Sequence, residues 1–324
     1  MFSTSIGKQY LCNCIMNSSG IYSSDIKQLE ILRKSALGGI VSKSSSLNPM
    51  EGNSKPNMFI SDEEKKYSCI NSVGCANNGY EYYLDYGISI YREDRPYIQS
   101  LIFFTKEELE TMLLNIDLNI LNNNIKLYNV ELNFSCPNIL DKSILGYNTH
   151  KIIYYCETIR FLNLKNIQIG IKLPIYYNRE DLNKVGEILL SYRDVIKFIT
   201  LCNTIPNGLM INSDKEETLI YPNNGYGGIS GIYNKPLVLS NINQFYNIFN
   251  NKISIIGCGG ILNGKDAFEA ILSGADCIQI GTLLLIEGVT IVGFILKELK
   301  EIMKQKGYYN IKQFKGKLKI TSKV

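Results

Sequence analysis

Short β-branched runs alternate with amphipathic stretches of helical period along almost the whole chain. Eight runs read as strands, at residues 14–17, 39–43, 101–104, 129–134, 168–173, 196–201, 253–257 and 277–281. Helix-like segments fall between most of them, at 24–34, 106–115, 150–163, 179–191, 241–249 and 264–273, and a long helix follows from about 287 to 306. Roughly eight βα units in one chain predict an α/β fold of the (β/α)8 barrel type, the TIM barrel. A doubly wound open sheet usually has fewer strands, and would carry Gly-x-Gly-x-x-Gly after its first strand; none is present. No linker divides the chain, so residues 1–324 read as one domain.

Two intervals are too long for a loop and a helix. Residues 44–100 contain Asn71-Ser72-Val73-Gly74-Cys75-Ala76-Asn77 and then the aromatic stretch Tyr80-Glu81-Tyr82-Tyr83-Leu84-Asp85-Tyr86. Residues 204–235 contain Gly225-Tyr-Gly-Gly-Ile-Ser-Gly231 and read as a candidate lid. Long insertions on the carboxyl side of barrel strands form the active-site rim.

Composition narrows the class. The chain has 324 residues, 45% hydrophobic and 20% charged, which fits a globular protein with a sizeable core. A net charge of +4, with the basic residues spread out, gives no footprint for nucleic acid or a membrane surface. The amino terminus has no apolar signal-peptide core, and no run of about 18 apolar residues occurs, so the expectation is a cytoplasmic protein. Nine cysteines without a Cys-x-x-Cys pair give no readable metal or cluster set, and suggest reduced thiols. The single histidine, His150, makes histidine-assisted hydrolysis a poor reading.

Barrel active sites lie at strand carboxyl ends. The fourth strand runs out into Asn133-Phe134-Ser135-Cys136-Pro137-Asn138. A thiol between two asparagines suits proton abstraction from a neutral, amide-rich ring, because each amide offers a donor and an acceptor. The plainer reading is a structural cysteine beside a turn. Lys172, inside an otherwise apolar fifth strand, predicts an anion or polarised carbonyl in the barrel mouth, since an unpaired buried ammonium is costly; the alternative is a lysine pointing outward. Lys43, after the second strand, admits the same two readings. Gly259-Gly260 after the seventh strand and Gly281-Thr282 after the eighth stand where barrels bind phosphate, with tight turns as the alternative.

Together these motifs resemble the dihydroorotate dehydrogenases of family 1, and more closely class 1A. The resemblance covers nearly the whole chain: Met16-Asn17-Ser18-Ser19-Gly20, Lys43-Ser44-Ser45, Glu51-Gly52-Asn53, Asn71-Ser72-Val73-Gly74, Tyr82 to Tyr86, Asn133 to Asn138, Lys172-Leu-Pro174, Asn203, Asn207-Gly208, Gly225-Tyr-Gly-Gly228, Gly257-x-Gly-Gly260 and Gln279-Ile-Gly-Thr282. It implies FMN-dependent oxidation of dihydroorotate to orotate in pyrimidine biosynthesis, with fumarate reduced to succinate in the same pocket by a homodimer. Cys136 is then the base, with Lys43 and Lys172 completing the catalytic set. Lys43, Asn71, Val73, Gly74, Cys75, Asn133, Pro137, Asn138, Asn203 and Thr204 would hold the substrate. Ser19, Gly20, Lys43, Ser44, Asn133, Lys172, Cys202, Gly231, Gly259, Gly260, Gly281 and Thr282 would hold FMN. No metal is implied.

Four departures from the family pattern stand out. Asn223 and Asn224 occupy loop positions where lysine is general. Cys75 replaces an apolar leucine, and Ala76 a proline. The expected third strand runs straight into Thr105 without a small Ser-x-Ala-Gly segment, and Cys258 replaces threonine. The competing expectations are a class 1B enzyme passing electrons to NAD through a partner subunit, a relative reducing a pyrimidine, and a flavin-binding paralogue without turnover.

Overall fold

The computed structural model describes residues 1–61, 67–91, 96–136 and 143–321. Eight parallel strands form one sheet: β1 (Ile15–Asn17), β2 (Ile40–Val41), β3 (Tyr97–Leu101), β4 (Tyr128–Asn133), β5 (Ile167–Leu173), β6 (Ile196–Leu201), β7 (Ser254–Cys258) and β8 (Cys277–Ile280). Each pairs with its sequence neighbours, and β8 returns to β1. The last seam, between β1 and β2, carries only the Met16–Gly39 bridge. There the Asn17 side chain replaces a ladder rung: its Nδ2 donates to Val41 O at 2.7 Å and its Oδ1 accepts from Val41 N at 2.8 Å. The expected barrel is therefore present and closed. At its amino-terminal end the hairpin Thr4–Ile6/Gln9–Leu11 acts as a plug, with Lys8 N donating to Gln168 Oε1 and Gln168 Nε2 donating to Ile6 O.

The barrel helices are α1 (Ile26–Arg33), α2 (Tyr80–Ile90), α3 (Lys106–Asn122), α4 (Thr149–Leu162), α5 (Arg179–Ser191), α6 (Lys235–Phe249), α7 (Gly264–Ser273), α8 (Thr282–Glu287) and α9 (Ile291–Gln305). Asp25, Thr105, Asn148, Asn178 and Asn263 cap their helices by accepting from first-turn N–H groups that would otherwise lack partners.

The structure moves several expected boundaries. The third strand is Tyr97–Leu101, ahead of the expected 101–104. Its polar Gln99 and Ser100 are fully buried but hydrogen-bonded, which hides the strand from an apolar pattern. The apolar Phe103 that suggested a later strand packs instead against Phe134 and Tyr155 in a loop. Helix α3 runs on through the asparagine-rich stretch to Asn122, and α6 begins six residues before the expected start. The expected carboxyl-terminal helix is α9, which starts at Ile291, four residues late; ahead of it the short α8, not expected from the pattern, ends at Gly288, whose φ is +74°. The aromatic stretch in the first insertion is α2, the helix of the second βα unit.

The two insertions also meet. Met58–Ser61 and Ser68–Asn71 from the first join Ile205–Gly208 and Gly227–Gly231 from the second in one antiparallel sheet, in the order 205–208, 227–231, 68–71, 58–61. Residues of three of these strands line the mouth of the barrel.

Candidate active site

A cavity of about 1180 Å³, in part open to solvent, occupies the carboxyl end of the barrel.

One end of the cavity is made of side chains. Where β4 ends, Asn133 Oδ1 accepts from Ser135 N at 3.2 Å and from Ser135 Oγ at 3.1 Å, which turns the chain and carries Cys136 to the cavity wall. Asn133 Nδ2 donates to Ser44 Oγ at 3.1 Å, tying this turn to the end of β2. From β6, Asn203 Nδ2 donates to Ser135 Oγ at 3.1 Å and more weakly to Asn133 Oδ1 at 3.4 Å. Its Oδ1 accepts from Thr204 N. The two amides thus hold each other's orientation.

Across from Cys136 stands the loop that follows Ser68–Asn71. Asn53 N and Nδ2 donate to Val73 O and Ser72 O, both at 2.9 Å, and Asn77 Nδ2 donates to Cys75 O at 2.8 Å. Gly74 has φ +70°, and a Cβ there would stand 2.4 Å from Asn53 Oδ1, so only glycine fits. Cys75 follows with φ +60°, a strained value for a side-chain-bearing residue. The two sulfurs, Cys75 Sγ and Cys136 Sγ, are 3.0 Å apart. Both cannot ionise at that separation. The Cys75 thiol is pushed well up, first by its hydrogen bond to Cys136, then by burial and the neighbouring sulfur's charge, with the Lys43 ammonium opposing. Cys75 is therefore the member of the pair that keeps its proton.

Lys172 projects from β5 into the cavity at 5% exposure, and no carboxylate among the described residues pairs with it. The expectation of an outward lysine is excluded. Its charge is felt by two wall thiols, Cys202 and Cys258, although burial pushes both up and leaves them neutral.

The other end is made of backbone. Gly259 and Gly260 have φ +124° and +69°, and a Cβ on Gly260 would lie 2.6 Å from Lys235 Cα. Gly231, at φ +94°, would place a Cβ 2.1 Å from Tyr67 O. Gly281 leaves room for Ser18 Oγ, and Thr282 Oγ1 sits 2.9 Å from Ser230 Oγ. Three cavity-lining residues, Thr204, Asn234 and Gln279, each present a buried side-chain oxygen without a partner inside the described protein. Buried polar atoms rarely go unsatisfied, so these mark a surface shaped for a polar ligand. Glycine turns, unpartnered oxygens and a buried ammonium together fit an anionic, phosphate-bearing heterocyclic cofactor.

Of the expected site residues, Ser19, Gly20, Lys43, Ser44, Asn71, Val73, Cys75, Asn133, Cys136, Lys172, Cys202, Asn203, Thr204, Gly231, Gly259, Gly260, Gly281 and Thr282 all line this cavity. Gly74 does not; it backs onto Asn53 behind the wall. Pro137 and Asn138 lie outside the described residues. Ser230, Asn234 and Ser100 were missed. Ser100 Oγ bonds Ser44 Oγ at 2.9 Å and Glu131 Oε1 at 3.3 Å, so a small residue does stand at the end of β3 once its true bounds are known. Glu131, fully buried beneath, also accepts from Thr200 Oγ1 at 2.6 Å.

An eight-stranded α/β barrel with a ligand cavity at its carboxyl face defines a barrel enzyme. The model of the dihydroorotate dehydrogenase family matches residues 1–303, and the chain belongs to that family. It is 38% identical over 325 residues to a Lactococcus lactis subsp. cremoris protein named dihydroorotate dehydrogenase A (fumarate), covering 98% of this chain and 99% of that one. A Streptococcus pneumoniae serotype 4 protein, bearing the same name with the prefix "Probable", is 38% identical over 95% of this chain and 94% of its own. Among solved structures, ligand-free DHODH from Eimeria tenella superposes with a TM-score of 0.80 at 18% identity, over 98% of this chain and 91% of that chain; this likeness speaks to the fold. Among the described residues no helix is long and apolar enough to cross a membrane.

Proposed function

We propose that this chain oxidises (S)-dihydroorotate to orotate in de novo pyrimidine biosynthesis, with FMN as its bound cofactor and fumarate as the acceptor that completes the cycle. The observation that carries the reading is the meeting, in one cavity, of Cys136 with Asn71, Asn133 and Asn203 at one end and of the glycine turns at the other. The relatives' names, with fumarate in them, support the choice of acceptor.

Cys136 removes the proton from C5 of the ring. A thiol is suited to a weak carbon acid near neutral pH because its acidity lies closer to the working pH than that of a carboxylate or an amine. Asn71, Asn133 and Asn203, with backbone groups at Val73 and Cys75, orient the ring by matching its alternating N–H and C=O edge; Thr204 lines the same cavity, and the family resemblance adds Pro137 and Asn138 as substrate contacts. Lys43, close enough to act on the Cys75 thiol, places a positive charge beside both substrate and cofactor. FMN, when bound, supplies the acceptor for the hydride that leaves C6. Lys172 offsets negative charge arriving at the ring system, a role worth more in the dry wall where it sits than in water. Ser19, Gly20, Ser44 and Cys202 border the ring, and Gly231, Gly259, Gly260, Gly281 and Thr282 hold the phosphate. The reading extends to a cytoplasmic homodimer, which the class 1A resemblance supports and gel filtration with light scattering tests.

The deciding experiment is anaerobic. The purified, FMN-loaded protein should lose its visible flavin absorbance on addition of dihydroorotate and regain it on addition of fumarate. Bleaching without recovery would overturn the acceptor, and no bleaching in the loaded protein would overturn the reaction.

A further inference from the structure

Cys75 and Cys136 come from loops 61 positions apart in sequence, yet their sulfurs are 3.0 Å apart at the wall of the open cavity. A disulfide needs about 2.05 Å, so the pair lies roughly 1 Å from bonding distance. We propose that this pair is an oxidation site for small peroxides, in which Cys75 resolves oxidised Cys136 to a reversible disulfide and so switches off and protects the base.

Three features of the fold support this. The Cys75 loop is fixed by Asn53 and Asn77, so the resolving sulfur is held in place rather than arriving by chance. Cys75 sits at φ +60°, and strain of that kind persists where the surroundings enforce it and clusters at functional positions. Finally, the Cys75 thiol is buried and pushed well up, so it keeps its proton, whereas Cys136 is the more exposed sulfur of the pair on the cavity wall and the one a small peroxide reaches first.

The chemistry balances with hydrogen peroxide or an organic hydroperoxide as the oxidant. The Cys136 thiolate attacks one peroxide oxygen, the O–O bond breaks, and hydroxide or alkoxide leaves with the electron pair. Cys136 is then a sulfenic acid, oxidised by two electrons. The Cys75 sulfur attacks the Cys136 sulfur, the S–O bond breaks, and water departs carrying the Cys75 proton. The net change is two thiols and one peroxide to one disulfide, water and water or alcohol. A cysteine without a resolving neighbour instead proceeds to the sulfinic acid, which thiols do not reduce.

The bond itself stands apart from the proposed reaction; its consequence for activity rests on Cys136 being the base. The test treats the FMN-loaded protein with hydrogen peroxide, blocks remaining thiols with iodoacetamide, and maps peptides without reduction. The expected result is a peptide joining Cys75 to Cys136, with dihydroorotate-driven bleaching lost in step and restored several-fold by dithiothreitol. In Cys75→Ser the same dose should leave Cys136 as sulfinic acid, with bleaching, relative to that variant's own untreated sample, not restored. Absence of the joined peptide from the wild-type digest overturns the inference, and needs no variant to fold. Equal recovery in wild type and Cys75→Ser overturns the protective role. If untreated protein never bleaches, the proposed reaction fails while the peptide map still decides the bond.

Discussion

The two ends of the cavity are built by different means. At β7 and β8 the wall is backbone: Gly259, Gly260 and Gly281 leave no side chain between main chain and ligand, and the first two adopt φ values that side chains resist. At β4 and the first insertion the wall is side chain: amides, hydroxyls and two thiols held by one another's hydrogen bonds. A backbone wall fails when anything is added to it. A side-chain wall can be edited atom by atom, and each edit changes chemistry more than shape.

The largest effect expected from that contrast is at the side-chain end. Cys136→Ala should lower the rate of dihydroorotate-driven bleaching by roughly 10² to 10⁴-fold, the usual worth of a positioned general base. Flavin content and melting temperature should stay near wild type, since the change leaves the glycine end intact. A stopped-flow rate within threefold of wild type would remove Cys136 from its role.

Gly260→Ala should do the reverse. The new Cβ would meet Lys235 at 2.4 to 2.7 Å, and Lys235 is anchored by Asp266 and Glu269, so the clash cannot be relieved cheaply. Left-handed backbone adds roughly 1–2 kcal/mol for an alanine. Purified protein should lose flavin and melt several degrees lower, while reloading at high FMN restores near-normal bleaching. Full flavin retention would mean that these turns do not hold the phosphate.

Lys172→Met divides the two ends more finely. The side chain is buried and without an ion-pair partner among the described residues, so replacing its ammonium with a thioether relieves an unfavourable burial in the ligand-free protein. The apoprotein should melt no lower than wild type, whereas FMN affinity should fall by roughly tenfold or more, the worth of about 1.4 kcal/mol of lost charge interaction. A drop in apoprotein melting temperature with unchanged FMN affinity would make Lys172 a structural residue.

The same contrast explains what could be read from the chain. Glycine turns are local: Gly259-Gly260 announces itself because its left-handed backbone favours glycine, and Lys172 does so because a charge interrupts an apolar strand. Side-chain walls are assembled from distant segments. Nothing in the order of residues places Cys75 against Cys136, or zips 68–71 onto 227–231. The third strand was misplaced for a related reason. The Gln99 amide is satisfied by the Tyr80 carbonyl of α2 and the Ser100 hydroxyl by Ser44 and Glu131, partners that the local pattern does not contain. Gln279 stood in a recognised motif, but its unpartnered oxygen is a property of the packed wall alone.

The smallest predicted effect tests whether the thiol pair shares a proton in the working protein. The Cys75 thiol is pushed well up chiefly because its proton is held against Cys136. The interaction is mutual: a proton on Cys75 that donates to Cys136 favours the ionised form of Cys136 by the same free energy. Removing the donor with Cys75→Leu, or making the site drier, must therefore raise the pH at which Cys136 ionises. The rising limb of the bleaching rate against pH should move upward. A hydrogen bond to a charged acceptor is worth roughly 1.5–3 kcal/mol and a thiol is a weak donor, so the expected movement is about one pH unit. Cys75→Ser, which keeps an O–H donor at the same place, should move the limb much less. Flavin content, set at the glycine end, should be flat with pH in all three proteins. A limb that moves equally for leucine and serine would show that burial, and not the shared proton, governs the pair.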